Sequence, residues 1–136
     1  MAEPLLTVRL LRLELTRALG RVGVPDPAGE ARQMLCHTLG LNETQLFAAP
    51  EQPVEAKTAA GLRQMVEEHA RHVPLGYLLG TVWFSGLAFM VGPGVLVPRP
   101  DSEVLVETAC CIVHEHLKNG RHTQGGPVHL LDTCTG

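Results

Sequence analysis

The chain has 136 residues, 45% hydrophobic and 18% charged, a balance that excludes disordered and fibrous classes and fits one compact domain with an appendage. A folded chain of this length buries roughly two-thirds of the surface its unfolded form exposes, so neither a metal nor a disulfide is needed to hold a core. The net charge of −3, without any run of Lys or Arg, disfavours direct nucleic-acid binding, and no apolar stretch of about 18 residues is present to span a membrane.

The first half reads as helices punctuated by Pro, Gly and Asn. Val8, Leu11, Leu15, Leu19 and Val22 recur at helical spacing until Gly20, Gly23 and Pro25 end the element. Asp26 followed by Pro27 is a cap and a first-turn proline, and Ala28, Ala31, Leu35 and Leu39 form the next apolar stripe, stopped by Gly40. Asn42 and Gln45 have the spacing of a capping box ahead of Leu46 and Phe47; Asn42-Glu43-Thr44 also matches a glycosylation sequon, but its position suits a helix start. From Pro53, a stripe of Ala59, Leu62, Val66, His69 and Val73 runs to Pro74. Each stripe needs a partner, so the four predicted helices should pack as a small bundle.

The pattern changes at Pro74, after which helical spacing is lost. Thr81–Phe84 and Leu87–Val91 are β-branched and aromatic runs flanking Ser85-Gly86, the signature of a hairpin, and Gly92-Pro93-Gly94 turns the chain into Val95-Leu96-Val97. After Pro98-Arg99-Pro100, the acids Asp101, Glu103 and Glu107 favour a helix N-terminus, and the helix runs towards Asn119-Gly120 with apolar residues on most faces, as expected of burial on two sides. A Gly-rich loop to Pro127 then leads into Val128-His129-Leu130-Leu131-Asp132, which suits the first strand of a parallel sheet.

Side chains with reactive or ligating potential have plain structural readings beside the functional ones. His114-Glu115-His116 puts its histidines two apart on a helix, pointing in different directions, which argues against zinc. His69 and His72 share a face without an evident acidic or cysteine partner. Cys36, Cys110, Cys111 and Cys134 form neither a C-x-x-C pair nor a disulfide framework and fit reduced thiols, with the Cys110-Cys111 pair packed as small apolar residues; with no leader pattern at the N-terminus, the expected location is the cytoplasm.

Pro74-Leu75-Gly76-Tyr77-Leu78-Leu79-Gly80, then Phe84, Phe89 and Val91, then Val97-Pro98-Arg99-Pro100-Asp101-Ser102-Glu103, resembles the linker of HemK/PrmC-type protein glutamine N5-methyltransferases. That family shows P-x-x-Y-x-x-G, an aromatic hairpin and a Pro-Arg-Pro-(Glu/Asp)-(Thr/Ser)-Glu segment in this order. Leu130-Leu131-Asp132-Thr133-Cys134-Thr135-Gly136 resembles the start of the family's cofactor loop, Leu-Asp-x-Gly-x-Gly-x-Gly, with Cys134 in place of the first glycine. A Cβ there restricts close backbone approach to a ligand.

The resemblance implies a mainly α-helical N-terminal bundle at 1–73 that recognises substrate, a β-hairpin linker at 74–98, and at 99–136 the first helix and strand of a Rossmann-like methyltransferase domain, cut short. It implies S-adenosylmethionine as cofactor, a peptide chain release factor as protein substrate, and methylation of the glutamine in its Gly-Gly-Gln loop. Asp132, Cys134, Thr135 and Gly136 become candidates for the cofactor loop, whose backbone N–H groups would face the ligand's carboxylate. Arg99 is a candidate fixed charge near cofactor or substrate, or the partner of Asp101 or Glu103 in an ion pair. Phe89, with Tyr77 and Trp83, lines the substrate channel or domain seam, or else packs in a core.

Methyl transfer to an amide demands positioning, since its lone pair is delocalised: the nitrogen must sit about 3–3.5 Å from the methyl carbon, in line with the departing sulfur. In the family the acceptors that orient the amide come from an Asn-Pro-Pro-Tyr segment that this sequence lacks, so catalytic residues are expected beyond Gly136 and the chain alone is expected to be inactive. Methylation of another protein glutamine or a nucleobase amine keeps the same fold; a non-catalytic helical adaptor is the reading from another class.

Overall fold

The structure is a computed structural model and describes residues 6–118 and 129–133. It contains α1 (Val8–Arg21), α2 (Pro27–Leu39), α3 (Glu43–Ala48), α4 (Ala56–Ala70), α5 (Leu75–Leu79), β1 (Thr81–Phe84), β2 (Leu87–Met90) and α6 (Pro100–Lys118). Two compact units result, one of Met1–Val82 with Met90–Val95 and one of Trp83–Phe89 with Leu96–Gly136. No helix among the described residues is long and apolar enough to cross a membrane.

The first unit is the expected helical bundle, and its local signals act as the sequence predicts. Asp26 caps α2 by accepting from the Gly29 N–H at 3.0 Å, with Pro27 in the first turn and Gly40 closing the helix at φ 65°. A Cβ at Gly29 would meet the capping Asp26 carboxylate, so a larger residue there would have to displace the cap. Asn42 and Gln45 form the capping box of α3 reciprocally, at 2.8 and 2.9 Å. The stripes converge in one core: Val8, Leu11, Leu15 and Leu19 from α1, Ala31, Met34 and Leu35 from α2, Leu46 from α3, and Ala59, Leu62 and Val66 from α4.

The start of α1 depends on a distant segment. The first N–H groups of a helix have no partner within it. Here Val8 and Arg9 donate to the carbonyls of Gln52 and Pro50 at 3.0 and 2.9 Å, and the Thr7 hydroxyl oxygen accepts from Leu10 at 3.4 Å. Val54 donates back to Leu6 at 2.8 Å, so the α3–α4 connection docks on the α1 terminus through backbone groups that side-chain patterning does not reveal.

Two side-chain links tie α4 to its neighbours. Arg63 donates from Nε and Nη2 to the two Glu14 oxygens at 2.6 and 3.0 Å, and this hydrogen bonding, ahead of burial acting the other way, holds the Glu14 carboxyl below its ordinary value. A carboxyl lowered in the folded state contributes stability above its unfolded value near 4.5, and that contribution disappears as pH falls through the folded value. Because both side chains are more than a third exposed, Glu14→Gln is expected to cost only about 0.2–1 kcal/mol at neutral pH, a difference that vanishes in acid when urea melts of the two proteins are compared.

His69 supplies the second link and corrects a sequence expectation. It does have an acidic partner: Nε2 lies 2.8 Å from Glu30 Oε2 on α2, while Nδ1 meets the Val73 carbonyl at 2.7 Å. The contact with Glu30 is close without the alignment of a hydrogen bond. The partner lies 39 positions away (69 − 30), so helix-face arithmetic could not find it. His72 is solvent-exposed, with φ at 67° where α4 ends.

Three further expectations change. Pro74 does not end helical structure, since α5 follows it directly; this turn was too short to leave a periodic pattern. Residues 95–97, to which the pattern assigned no element, are irregular. No residue of α6 is buried, and Cys110 and Cys111 are exposed, where the sequence pattern suggested burial on two sides. His129–Asp132 is likewise irregular: a parallel strand exists only through hydrogen bonds to a neighbouring strand. Val128 and the loop before it lie outside the described residues.

Candidate functional site

The segment that carried the resemblance has a physical logic. Pro74 opens α5, its carbonyl accepting from Tyr77 at 2.9 Å and Leu78 at 3.3 Å, and Gly80 ends the helix in the left-handed region at φ 70°. The Gly80 carbonyl accepts from Val91 at 3.0 Å, and the Tyr77 hydroxyl donates to the Val95 carbonyl at 2.6 Å. Proline, tyrosine and glycine at this spacing therefore start a turn, pin the segment after the hairpin, and reverse the chain. Tyr77→Phe is expected to cost about 1 kcal/mol and to speed amide exchange at 91–95, readable by hydrogen exchange.

Within the second unit, the hairpin turn places Ser85 at φ 47° and Gly86 at φ 77°, the pair of positive angles of a type I′ turn. Phe84 and Phe89 meet edge to face at 6.1 Å. Glu103, in the first turn of α6, accepts from the Ser85 backbone N–H at 3.0 Å, so the acid of the Pro-Arg-Pro-Asp-Ser-Glu segment fastens the hairpin turn to the α6 terminus.

Arg99 is exposed and, among the described residues, pairs with neither Asp101 nor Glu103, leaving its charge available. Phe89 is 43% exposed and Trp83 73%, so neither is a core aromatic. Asp132 is exposed in irregular backbone, and Cys134, Thr135 and Gly136 lie outside the described residues.

Arg99, Phe89 and Asp132 share one unit but no mutual hydrogen bond or ion pair. A nucleoside cofactor needs an enclosing wall and converging donors; exposed side chains on irregular backbone do not provide them. The described residues thus do not by themselves fit S-adenosylmethionine, and no reaction step follows from them. No three His, Cys, Asp or Glu side chains among them converge on a metal site either. Cys36 offers no alternative chemistry: burial, then the nearby Glu43 charge, push its thiol above the ordinary range and away from the nucleophilic thiolate.

Comparison with known proteins places this geometry in a lineage. The chain is 40% identical over 98 residues to a release factor glutamine methyltransferase of Geobacter sulfurreducens, covering 71% of this chain and 34% of that protein. It is 42% identical over 110 residues to the Bordetella pertussis protein of the same name (81% and 37%), and 32% identical over 130 residues to that of Agrobacterium fabrum (96% and 43%). The chain therefore spans between about a third and two-fifths of the length of these relatives. Residues 11–80, from the core stripe of α1 to the left-handed Gly80, match the family model of the PrmC N-terminal domain, and the chain belongs to that family.

Proposed function

We propose that this chain is the recognition and linker part of an S-adenosylmethionine-dependent methyltransferase that modifies the glutamine of the Gly-Gly-Gln loop of peptide chain release factors in the cytoplasm. The observation that carries the reading is the continuity of the match: the α1–α5 bundle belongs to the PrmC N-terminal domain family, and the similarity to release factor glutamine methyltransferases continues through the hairpin into α6. Residues 1–73 hold the release factor, 74–98 link, and 99–136 begin the catalytic domain.

Asp132, Cys134, Thr135 and Gly136 belong to the cofactor loop, Arg99 supplies positive charge beside it, and Phe89 faces the substrate glutamine. The free charge of Arg99 and the exposure of Phe89 are consistent with these roles. Since the sequence has no Asn-Pro-Pro-Tyr segment to orient an amide, the chain alone recognises without transferring.

Competition tests this. Added in excess to a reaction in which the Bordetella pertussis enzyme methylates its release factor, the chain should lower the rate by occupying substrate, and should transfer no methyl group itself. An undiminished rate with the chain at concentrations well above those of enzyme and release factor overturns the recognition role; transfer by the chain alone overturns the catalytic division.

A further inference from the structure

The α1 helix carries two stripes. Val8, Leu11, Leu15 and Leu19 face the core, while Leu10, Leu13, Arg17 and Arg21 fall half a turn away and are all exposed, Leu10 and Leu13 at 46% and 45%. The core does not need the second stripe. Four of the chain's 11 Lys and Arg residues lie on this one helix, at Arg9, Arg12, Arg17 and Arg21, although the whole chain carries −3.

The helix's one acid, Glu14, is already taken by Arg63. Arg9 pairs with Glu51 at 3.1 Å and Arg12 stands 4.9 Å over the Phe47 ring, whereas Arg17 and Arg21 form no ion pair among the described residues. The outer face of α1 is thus a leucine pair bordered by uncompensated guanidinium groups. These arginines form no consecutive basic run; their charge recurs along the helical repeat.

From this we infer that the outer face of α1 docks an acidic protein surface that receives Leu10 and Leu13, and, resting on the recognition role proposed above, that this surface belongs to the release factor. An apolar centre flanked by arginines is the composition of a protein interface, where Arg is enriched and the middle is desolvated. A nucleic-acid surface is less well matched: its dominant contacts are cation to phosphate, and leucines at the centre contribute nothing to those. Long-range attraction between Arg17, Arg21 and acidic partner groups also makes the association salt-dependent.

The test titrates a purified bacterial class-1 release factor with the 136-residue chain, comparing wild type, Arg17→Glu/Arg21→Glu, Leu10→Ser/Leu13→Ser, and Lys57→Glu/Arg71→Glu as a control of equal charge change at the two ends of α4, in its first turn and at its C-cap. All substituted side chains are exposed, and an unchanged thermal melt by circular dichroism verifies the fold of each variant. Either α1 pair is expected to weaken binding about tenfold or more, with the α4 control within about twofold of wild type. Wild type and both α1 variants binding equally overturns the α1 assignment while the recognition role stands. No binding by wild type overturns the recognition role and the occupant together. Arg17 and Arg21 substitutions that abolish binding to an RNA oligonucleotide or to anionic vesicles, and leave release-factor binding intact, assign the face to those ligands instead.

Discussion

Leu35→Ala is expected to remove about 2–5 kcal/mol from the unfolding free energy of the helical unit, because Leu35 is 0% exposed at the centre of the core that α1, α2, α3 and α4 share. Truncation loses the transfer free energy of the side chain and leaves a cavity that packed helices close only in part. Small domains have about 5–15 kcal/mol in total, so this single change consumes a large share of it. Leu10→Ala provides the contrast: on the exposed face of the same core's first helix, it should fall within about 0.5 kcal/mol of wild type. Urea melts read both, with the midpoint moving for Leu35 and the slope unchanged. A midpoint shift for Leu35→Ala no larger than that for Leu10→Ala would contradict the shared core.

Amide protection is expected to divide the chain sharply. In α1, α2 and α4, amides whose helices bury side chains in the core should exchange only through global opening, with protection of about a thousandfold or more. Amides of α6 should exchange within about tenfold of unstructured rates, since none of its side chains is buried and an unsupported helix in water is marginal even at its length. Val104, Leu105 and Ile112 are 64%, 72% and 52% exposed, so the burial that stabilises most protein helices is missing from it. Its local supports are small: two acids in the first turn and the Glu103 contact to the Ser85 N–H. Hydrogen exchange followed by mass spectrometry measures both sets at once, and protection in α6 equal to that in α1 would show a support for the helix beyond those contacts.

The same contrast separates what local chemistry specifies from what it does not. Asp26 with Pro27, Asn42 with Gln45, and Gly40 each complete their own cap within a few residues, so the ends of α2 and α3 were legible in the sequence. Ser85-Gly86 was legible for the same reason, as a two-residue turn between two apolar runs. Of the candidate site, Arg99 and Phe89 could be named from the motif, but their availability rests on where Glu103 places its carboxylate and on which faces stay uncovered.

By itself the sequence determined the four main helices of the bundle, the hairpin and α6, because helical and strand periods, caps and tight turns are interactions among near neighbours. Only the tertiary structure decided that Pro50 and Gln52 cap α1, that Glu30 meets His69, and that Tyr77 holds Val95. It also left His129–Asp132 irregular despite a strand-like pattern. In each case the partner group lies far along the chain or is not among the described residues, and a hydrogen bond forms only where both of its ends are brought together.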